Sequence, residues 1–274
     1  MKLFRPTKRS TKKDKKDVAV TQDDAEREAQ SSARSSRKPP QDPAQSSRLL
    51  NRIADHFGFT DYLEVGVQLG ITFKAIEVSY RDAVDPNFLF ETPEFESDIV
   101  RFFPMTSDAY FSGPCDKTYD LIFLDGLHTF EQCFRDLCAA LQVLNDGGVI
   151  VIDDTVPGDF FSSLATQDLA IAAREEHGLK GSAWTGDVFK IIPVIHNFFP
   201  NLRYLTLHDP ENPAYKPNTV LWRAKRNDFN PAEMSLTEVE NLGYFDLSSI
   251  RELFKFVEYE EGLSILFNNV RKQN

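Results

Sequence analysis

Cysteine is scarce: Cys115, Cys133 and Cys138 are the only three in 274 residues. That is too few for a disulfide framework, it fits a reducing compartment, and no two stand in a C-x-x-C metal spacing. Long apolar runs are also missing. None approaches the roughly 18 residues that would suggest a membrane-spanning helix. The N-terminus is basic, but no apolar segment follows it, so it does not read as a secretory signal. The expectation is a soluble cytoplasmic protein. No internal repeat is visible, and the Gly-containing turn described below lacks the G-x-G-x-x-G spacing that a nicotinamide dinucleotide site would use.

The charge is unevenly spread. The chain carries 31 Lys and Arg against 42 Asp and Glu. Residues 1–50 hold 13 basic and 7 acidic residues, and the remainder 18 and 35. An acidic body argues against nucleic acid as the main substrate. Residues 1–45 (KRSTKKDKKD, QSSARSSRKPPQDPAQSS) are too poor in apolar groups to offset the entropy of ordering and read as a disordered basic arm. A second reading has the arm touching anionic lipid, nucleic acid or the protein's own acidic surface. At 41% hydrophobic residues the rest can build a core, and the 23 Phe fit core and cover better than a base-stacking surface. A folded domain is expected over 46–228, followed by a helical extension over 229–274 that covers the domain or meets a second copy in a homo-oligomer.

The stretch DYLEVGVQLGITFKAIEVSYRDAVD, residues 61–85, organises the domain. Tyr62, Leu63 and Val65 read as a buried strand, Gly66 and Gly70 as a tight turn, Thr72–Val78 as a helix, and Ala83–Asp85 as a second strand ending in a carboxylate. Asp85 falls 21 residues after Glu64, the separation at which an acidic residue can take both ribose hydroxyls. Glu64, at the end of the first strand, is poor company for a pyrophosphate and good company for an ammonium or sulfonium group.

Further along, Ser47–Phe57 has one apolar helical face, and Val100–Met105 reads as a third strand. Ser107 and Asp108 follow it, as ligand contacts or as turn and helix-cap residues. Leu121–Leu124 is a buried strand ending at Asp125. Thr129–Leu144 is a helix with Phe130, Cys133, Phe134, Leu137 and Leu141 on one face. Val149–Ile152 is a buried strand ending at Asp153-Asp154. Strand, helix and strand in this order imply a parallel sheet with right-handed crossovers. Helices are expected over Asp168–His177, Trp184–Phe198 and Leu247–Tyr259, and strands over Arg203–Leu207 and Thr219–Ala224.

In a parallel sheet ligands sit beyond the carboxyl ends of the strands. Asp125, Asp153 and Asp154 then converge on one rim, and three such carboxylates need a compensating cation. All-oxygen ligands favour a hard divalent ion, Mg²⁺ first. His128, three residues after Asp125, has the ordinary pKa, about 6.5, of a general base near neutrality.

The turn Glu64-x-Gly66-x-x-x-Gly70 resembles motif I of the class I S-adenosylmethionine-dependent methyltransferases, usually E-x-G-x-G-x-G, with Gln68 where the middle glycine is expected. LDGLHTFEQ, GGVIVIDDT and WTGDVFK resemble the metal-dependent, macrolide-type sugar O-methyltransferases over roughly residues 60–195. The catechol O-methyltransferases are more distantly similar. This resemblance implies a Rossmann-like α/β fold: a mostly parallel seven-stranded sheet with an antiparallel edge and helices on both faces. It implies S-adenosylmethionine held by Glu64, Gly66, Gly70, Asp85, Ser107, Asp108 and Asp125. It also implies a metal on Asp125, Asp153 and Asp154, His128 as general base, and a carbohydrate-like hydroxyl acceptor. It assigns no role to Trp184, Asp187 or Lys190. Two other readings stand beside it: a metal-independent methyltransferase whose acidic rim meets a cationic substrate, and a binding protein that has kept the fold without turnover.

Overall fold

The computed structural model describes residues 45–114, 117–212, 215–226, 229 and 234–270, all within the compact unit Asp42–Asn274. The expected basic arm lies outside the described residues except for Gln45, which opens the first helix.

The elements run α1 (Gln45–Phe57), β1 (Asp61–Val65), α2 (Ile71–Lys74), β2 (Tyr80–Val84), β3 (Val100–Phe103), α3 (Ser107–Ser112), β4 (Tyr119–Leu124), α4 (Phe130–Val143), β5 (Leu144–Ile152), α5 (Gln167–Glu176), α6 (Ile191–Phe198), β6 (Leu202–His208), β7 (Asn218–Arg223), α7 (Leu236–Glu240), β8 (Phe256–Glu258) and α8 (Tyr259–Asn269). The sheet order is β3-β2-β1-β4-β5-β7-β6-β8. β7 runs antiparallel to both β5 and β6, and the other pairings are parallel.

The expected Rossmann-like α/β architecture is therefore present, with one strand more than the seven expected. The extra strand, β8, arises inside the stretch read as a helix over Leu247–Tyr259. Short 3-10 turns precede it, and Phe256–Glu258 pair with Thr206–His208 of β6. The local pattern could not reveal this, because the free edge of β6 is what makes an extended conformation favourable there. The C-terminal segment thus completes the same sheet.

Apolar residues on alternate sides of the strands feed two cores. One face of the sheet carries Leu63, Ile122, Leu124, Ile150 and Ile152 beneath α4 and α6. The other carries Tyr62, Leu121, Phe123, Val149 and Val151 against Leu49, Leu50 and Ile53 of α1 and Leu263 and Leu266 of α8. Each fully buried Leu or Ile contributes roughly 1.5–3 kcal/mol. The stripe expected on α4 faces inward, with Cys133 and Leu137 buried and Phe130, Phe134 and Leu141 half-buried against the first core.

The helix expected over Thr72–Val78 is cut to the single turn Ile71–Lys74. Side chains take the backbone groups that would continue it. Asn51 of α1 donates to the Ala75 carbonyl (2.8 Å) and accepts from the Glu77 N–H (3.0 Å). Arg81 donates to the Ile76 carbonyl (2.8 Å). The chain straightens, Ile76 and Val78 turn into the core, and β2 starts earlier than the apolar pair Ala83-Val84 indicates. Among the described residues, no helix is long and apolar enough to cross a membrane.

Candidate functional site

Every expected site residue lies at or just past the carboxyl end of a parallel strand, where successive loops splay apart and leave a crevice. The crevice is a cleft of about 870 Å³, of the size that holds a small organic ligand. Glu64, Gly66, Asp85, Ser107, Asp108, Asp125, His128, Asp153 and Asp154 all line it. Gly70 alone among them does not. It sits behind the turn at φ +68°, where its N–H bonds the Val67 carbonyl at 2.7 Å, and so shapes the loop from outside.

The loop after β1 is held open from below. Asp85 accepts hydrogen bonds at one oxygen from the N–H groups of Val67 (2.7 Å) and Gln68 (2.8 Å), and at the other from Asn87 (2.7 Å). A carboxylate has about four lone pairs, so Asp85 braces the loop and keeps little capacity for a ligand. Gly66, at φ +85°, lies where an added Cβ would stand 1.9 Å from the Asp125 carbonyl oxygen. No other residue type fits between these two strand ends. Gln68, at the position where motif I usually has glycine, also takes a left-handed conformation, φ +46°, which glycine adopts most readily. Glu64 is buried and accepts from Tyr62 Oη at 2.5 Å. Burial drives its pKa well above the ordinary carboxylate value, Tyr62 opposes the rise, and Asp125 and Asp85 add to it.

On the far wall Thr106, not Ser107 or Asp108, caps α3 by accepting from the Ala109 N–H. Ser107 and Asp108 instead meet Gln132 Nε2, each at 3.1 Å. Gln132 also lines the cleft. It is a site residue that the sequence does not mark, because its position on α4 reads as an ordinary exposed one.

The rim brings together Asp125, His128 and Asp154, whose ligand atoms all lie within 4.8 Å of one another. His128 Nε2 stands 3.4 Å from Asp125 and 3.1 Å from Asp154. Nδ1 lies 2.8 Å from the carbonyl oxygen of Trp184. A carbonyl only accepts, so the proton is on Nδ1, and Nε2 points into the rim. Asp154 is buried at φ +58°, and its two carboxylate oxygens face the cations Lys216 and His128, one each. The expected third ligand, Asp153, is turned differently. One of its oxygens accepts from the Asp154 N–H (2.8 Å) and from Asn218 Nδ2 (2.9 Å), and the other lies 3.4 Å from Lys216 Nζ. The tight cluster is therefore Asp125, His128 and Asp154, with Asp153 beside it.

The charges interact strongly. Burial, then Asp153, pushes Asp125 up to about 7 against the pull of His128. Burial and Asp153 also raise Asp154. Burial would lower His128, but Asp125 and Asp154 outweigh it and hold the imidazole at about 9. The ordinary value near 6.5 expected from sequence does not apply: even with Lys216 sharing the carboxylates, His128 is held at about 9 and is protonated at neutral pH. The chemistry of the cluster suits a hard divalent ion. Asp125 and Asp154 offer the carboxylate oxygens for it, and His128 Nε2, which its backbone bond leaves free, stands beside them as a group that can exchange a proton.

The stretch WTGDVFK has a structural role that the sequence leaves open. Besides the Trp184 carbonyl, Gly186 at φ +55° passes so close beneath His128 that an added Cβ would stand 1.7 Å from the His128 carbonyl oxygen. Asp187 accepts from the Phe130 N–H at 2.6 Å, at the start of the helix after His128. Lys190 ties the same segment to the Glu240 carbonyl at 2.7 Å and to Asp187 at 3.0 Å. Trp184 and Gly186 hold His128, and Asp187 and Lys190 hold the backbone around it. Lys216, in the Pro-rich loop before β7, is a further rim residue that sequence did not mark. β7 pairs Thr219 with Ile152, which brings the residues just before β7 beside those just after β5. A reading that had fixed this antiparallel register would have found it.

Residues 63–155 match the family described as "Methyltransferase domain". No curated protein matches the chain. Among solved structures, a cofactor-bound protein of MTB, Rv0187, shares the fold with a TM-score of 0.50 at 14% identity, over 74% of this chain and 90% of that one. An O-methyltransferase from Bacillus cereus in complex with SAH gives a TM-score of 0.47 at 14% identity, over 75% and 93%. The likeness to a methyltransferase domain therefore rests on residues 63–155, which hold the glycine turn and the acidic rim.

Proposed function

We propose that this protein transfers the methyl group of S-adenosylmethionine to a hydroxyl oxygen of a small, carbohydrate-like acceptor. In this reading Asp125 and Asp154, with Asp153 beside them, hold a divalent ion, Mg²⁺ first, and His128 is the general base. The observation that carries it is the clustering of Asp125, His128 and Asp154 within 4.8 Å at the rim of the cleft, beside the glycine turn. The sugar-like character of the acceptor rests on the likeness of LDGLHTFEQ, GGVIVIDDT and WTGDVFK to the sugar O-methyltransferases.

The roles follow from position. The glycine turn, with Asp85 bracing it, leaves room for the cofactor to approach the backbone. Glu64 faces the cofactor's ammonium end, and that cation would draw its raised pKa back down. Ser107 and Asp108, steadied by Gln132, face the adenosine end. A bound divalent ion would supply Lewis acidity that eases loss of the acceptor's proton. The acceptor oxygen attacks the methyl carbon in line; the O–CH₃ bond forms as the S–CH₃ bond breaks, leaving S-adenosylhomocysteine. His128 Nε2 takes the hydroxyl proton while the Trp184 carbonyl keeps the ring oriented. Much of the acceleration comes from alignment.

A second reading drops the metal, because Lys216 and protonated His128 already counter most of the rim's negative charge. Calorimetric titration of S-adenosylmethionine, S-adenosylhomocysteine and NAD, with and without Mg²⁺, tests the whole. Micromolar binding of the first two and none of NAD is expected. A metal signal that Asp154→Asn abolishes separates the two readings. If no adenosyl ligand binds, the methyltransferase reading fails.

A further inference from the structure

The acidic rim already contains a cation from the protein itself. Lys216 Nζ makes an ion pair with Asp154 Oδ1 and lies 3.4 Å from Asp153 Oδ2. Its position is fixed from the backbone. The Lys216 N–H donates to Gln45 Oε1 (3.0 Å), and Gln45 Nε2 donates back to the Lys216 carbonyl (2.6 Å). This two-bond clamp joins the first turn of α1 to a loop 171 residues away. Side chains of exposed lysines are costly to order. One anchored through both backbone groups and aimed at a buried carboxylate is a built feature of the site.

We propose that Lys216, positioned by Gln45, is a tethered cation that shares the rim carboxylates with the divalent ion and sets how tightly that ion is held. The inference rests on the metal reading above and concerns a residue that reading does not use. Asp154 carries the geometry. One of its oxygens faces Lys216, the other faces His128 and the cluster with Asp125. An ion bound at that cluster shares Asp154 with an ammonium a few ångströms away, and like charges at such distances repel strongly in a partly desolvated site. The consequence is a weakened, readily exchanged ion, and a rim that stays assembled when the ion is gone.

The test is calorimetric titration of Mn²⁺ and Mg²⁺ into the full chain, comparing the wild type with Lys216→Met, Lys216→Arg, Gln45→Ala and Asp154→Asn. Lys216→Met is expected to bind the ion at least about tenfold more tightly, since it removes the repelling charge and keeps the stem. Gln45→Ala, which frees the lysine without deleting it, should fall between, and Lys216→Arg should behave as the wild type. Asp154→Asn should abolish binding. Metal binding by Lys216→Met alone would equally support the proposal, with the lysine then excluding the ion outright. Equal affinities in wild type and Lys216→Met overturn it and leave the metal reading standing. No metal binding by either overturns both. Thermal melts check folding, and Lys216→Gln replaces the Met variant if that one does not fold.

Discussion

The carbonyl oxygen of Trp184 holds Nδ1 of His128 at 2.8 Å across 56 residues of sequence. This bond fixes the tautomer and turns Nε2 toward Asp125 and Asp154. Gly186, two residues on, leaves room for the His128 backbone, so the histidine and the WTGD segment form one unit.

Gly186→Ala should therefore damage catalysis more than binding. The new Cβ, 1.7 Å from the His128 carbonyl oxygen, must push the 125–129 loop aside, and a displacement near 1 Å costs about 10²-fold in rate. The expected result is a fall of that order in kcat/KM with S-adenosylhomocysteine affinity within a few-fold of wild type. Loss of both together would mean that Gly186 supports the whole cleft.

The pH profile of transfer should move with the metal. His128 accepts a proton only when neutral, and Asp125 and Asp154 hold its pKa at about 9. Without divalent ions, activity should rise with pH until it levels near 9. With Mg²⁺ drawing on the same carboxylates, the rise should occur at lower pH. His128→Ala should lose about 10²–10⁴-fold and remove this limb of the profile. A limb that persists in His128→Ala would assign the base elsewhere.

Gln68→Gly should stabilise the protein slightly. A left-handed non-glycine residue costs about 1–2 kcal/mol, offset by about 0.5–1 kcal/mol of glycine's extra freedom when unfolded. A gain of about 0.5–1 kcal/mol in urea unfolding is expected at Gln68 (φ +46°). A clear loss would show that the glutamine side chain makes a compensating contact.

Acid should weaken the edge of the sheet through Asp82. Burial raises its pKa, but hydrogen bonds from Arg101 (2.9 and 2.5 Å) and Tyr119 (2.7 Å) and the charge of Lys117 outweigh burial and hold it below the ordinary value. A depressed folded pKa gives stability that is present above the unfolded value of about 3.9 and lost as pH falls through the folded one. The stability gap between wild type and Asp82→Asn, measured by urea midpoints, should be constant from neutral pH to about 5 and close below 4. A gap that stays open at low pH would mean that packing, not charge, explains it.

The sequence by itself determined the sheet and its rim. Buried strands that end in Glu64, Asp85, Asp125 and Asp153 are local patterns, and the parallel βαβ rule brings their ends together wherever the helices lie. The turn Gly66–Gly70 and the apolar stripe of α4 were legible for the same reason: each depends on residues a few positions apart. Tertiary structure decided the rest. The stop in α2 comes from Asn51 and Arg81, and β8 from the open edge of β6. Only the folded chain shows that Asp153 is engaged by Asn218, while Asp125, His128 and Asp154, which the sequence already put at the rim, close into the tight cluster. The pKa of His128 depends on Asp154, 26 positions on and brought near by the β4–β5 pairing, as well as on its neighbour Asp125, and Lys216, 62 positions beyond Asp154, reaches the rim through the antiparallel β5–β7 register. Electrostatic environment is a property of distance in space, and sequence separation carries no information about it until the sheet order is known.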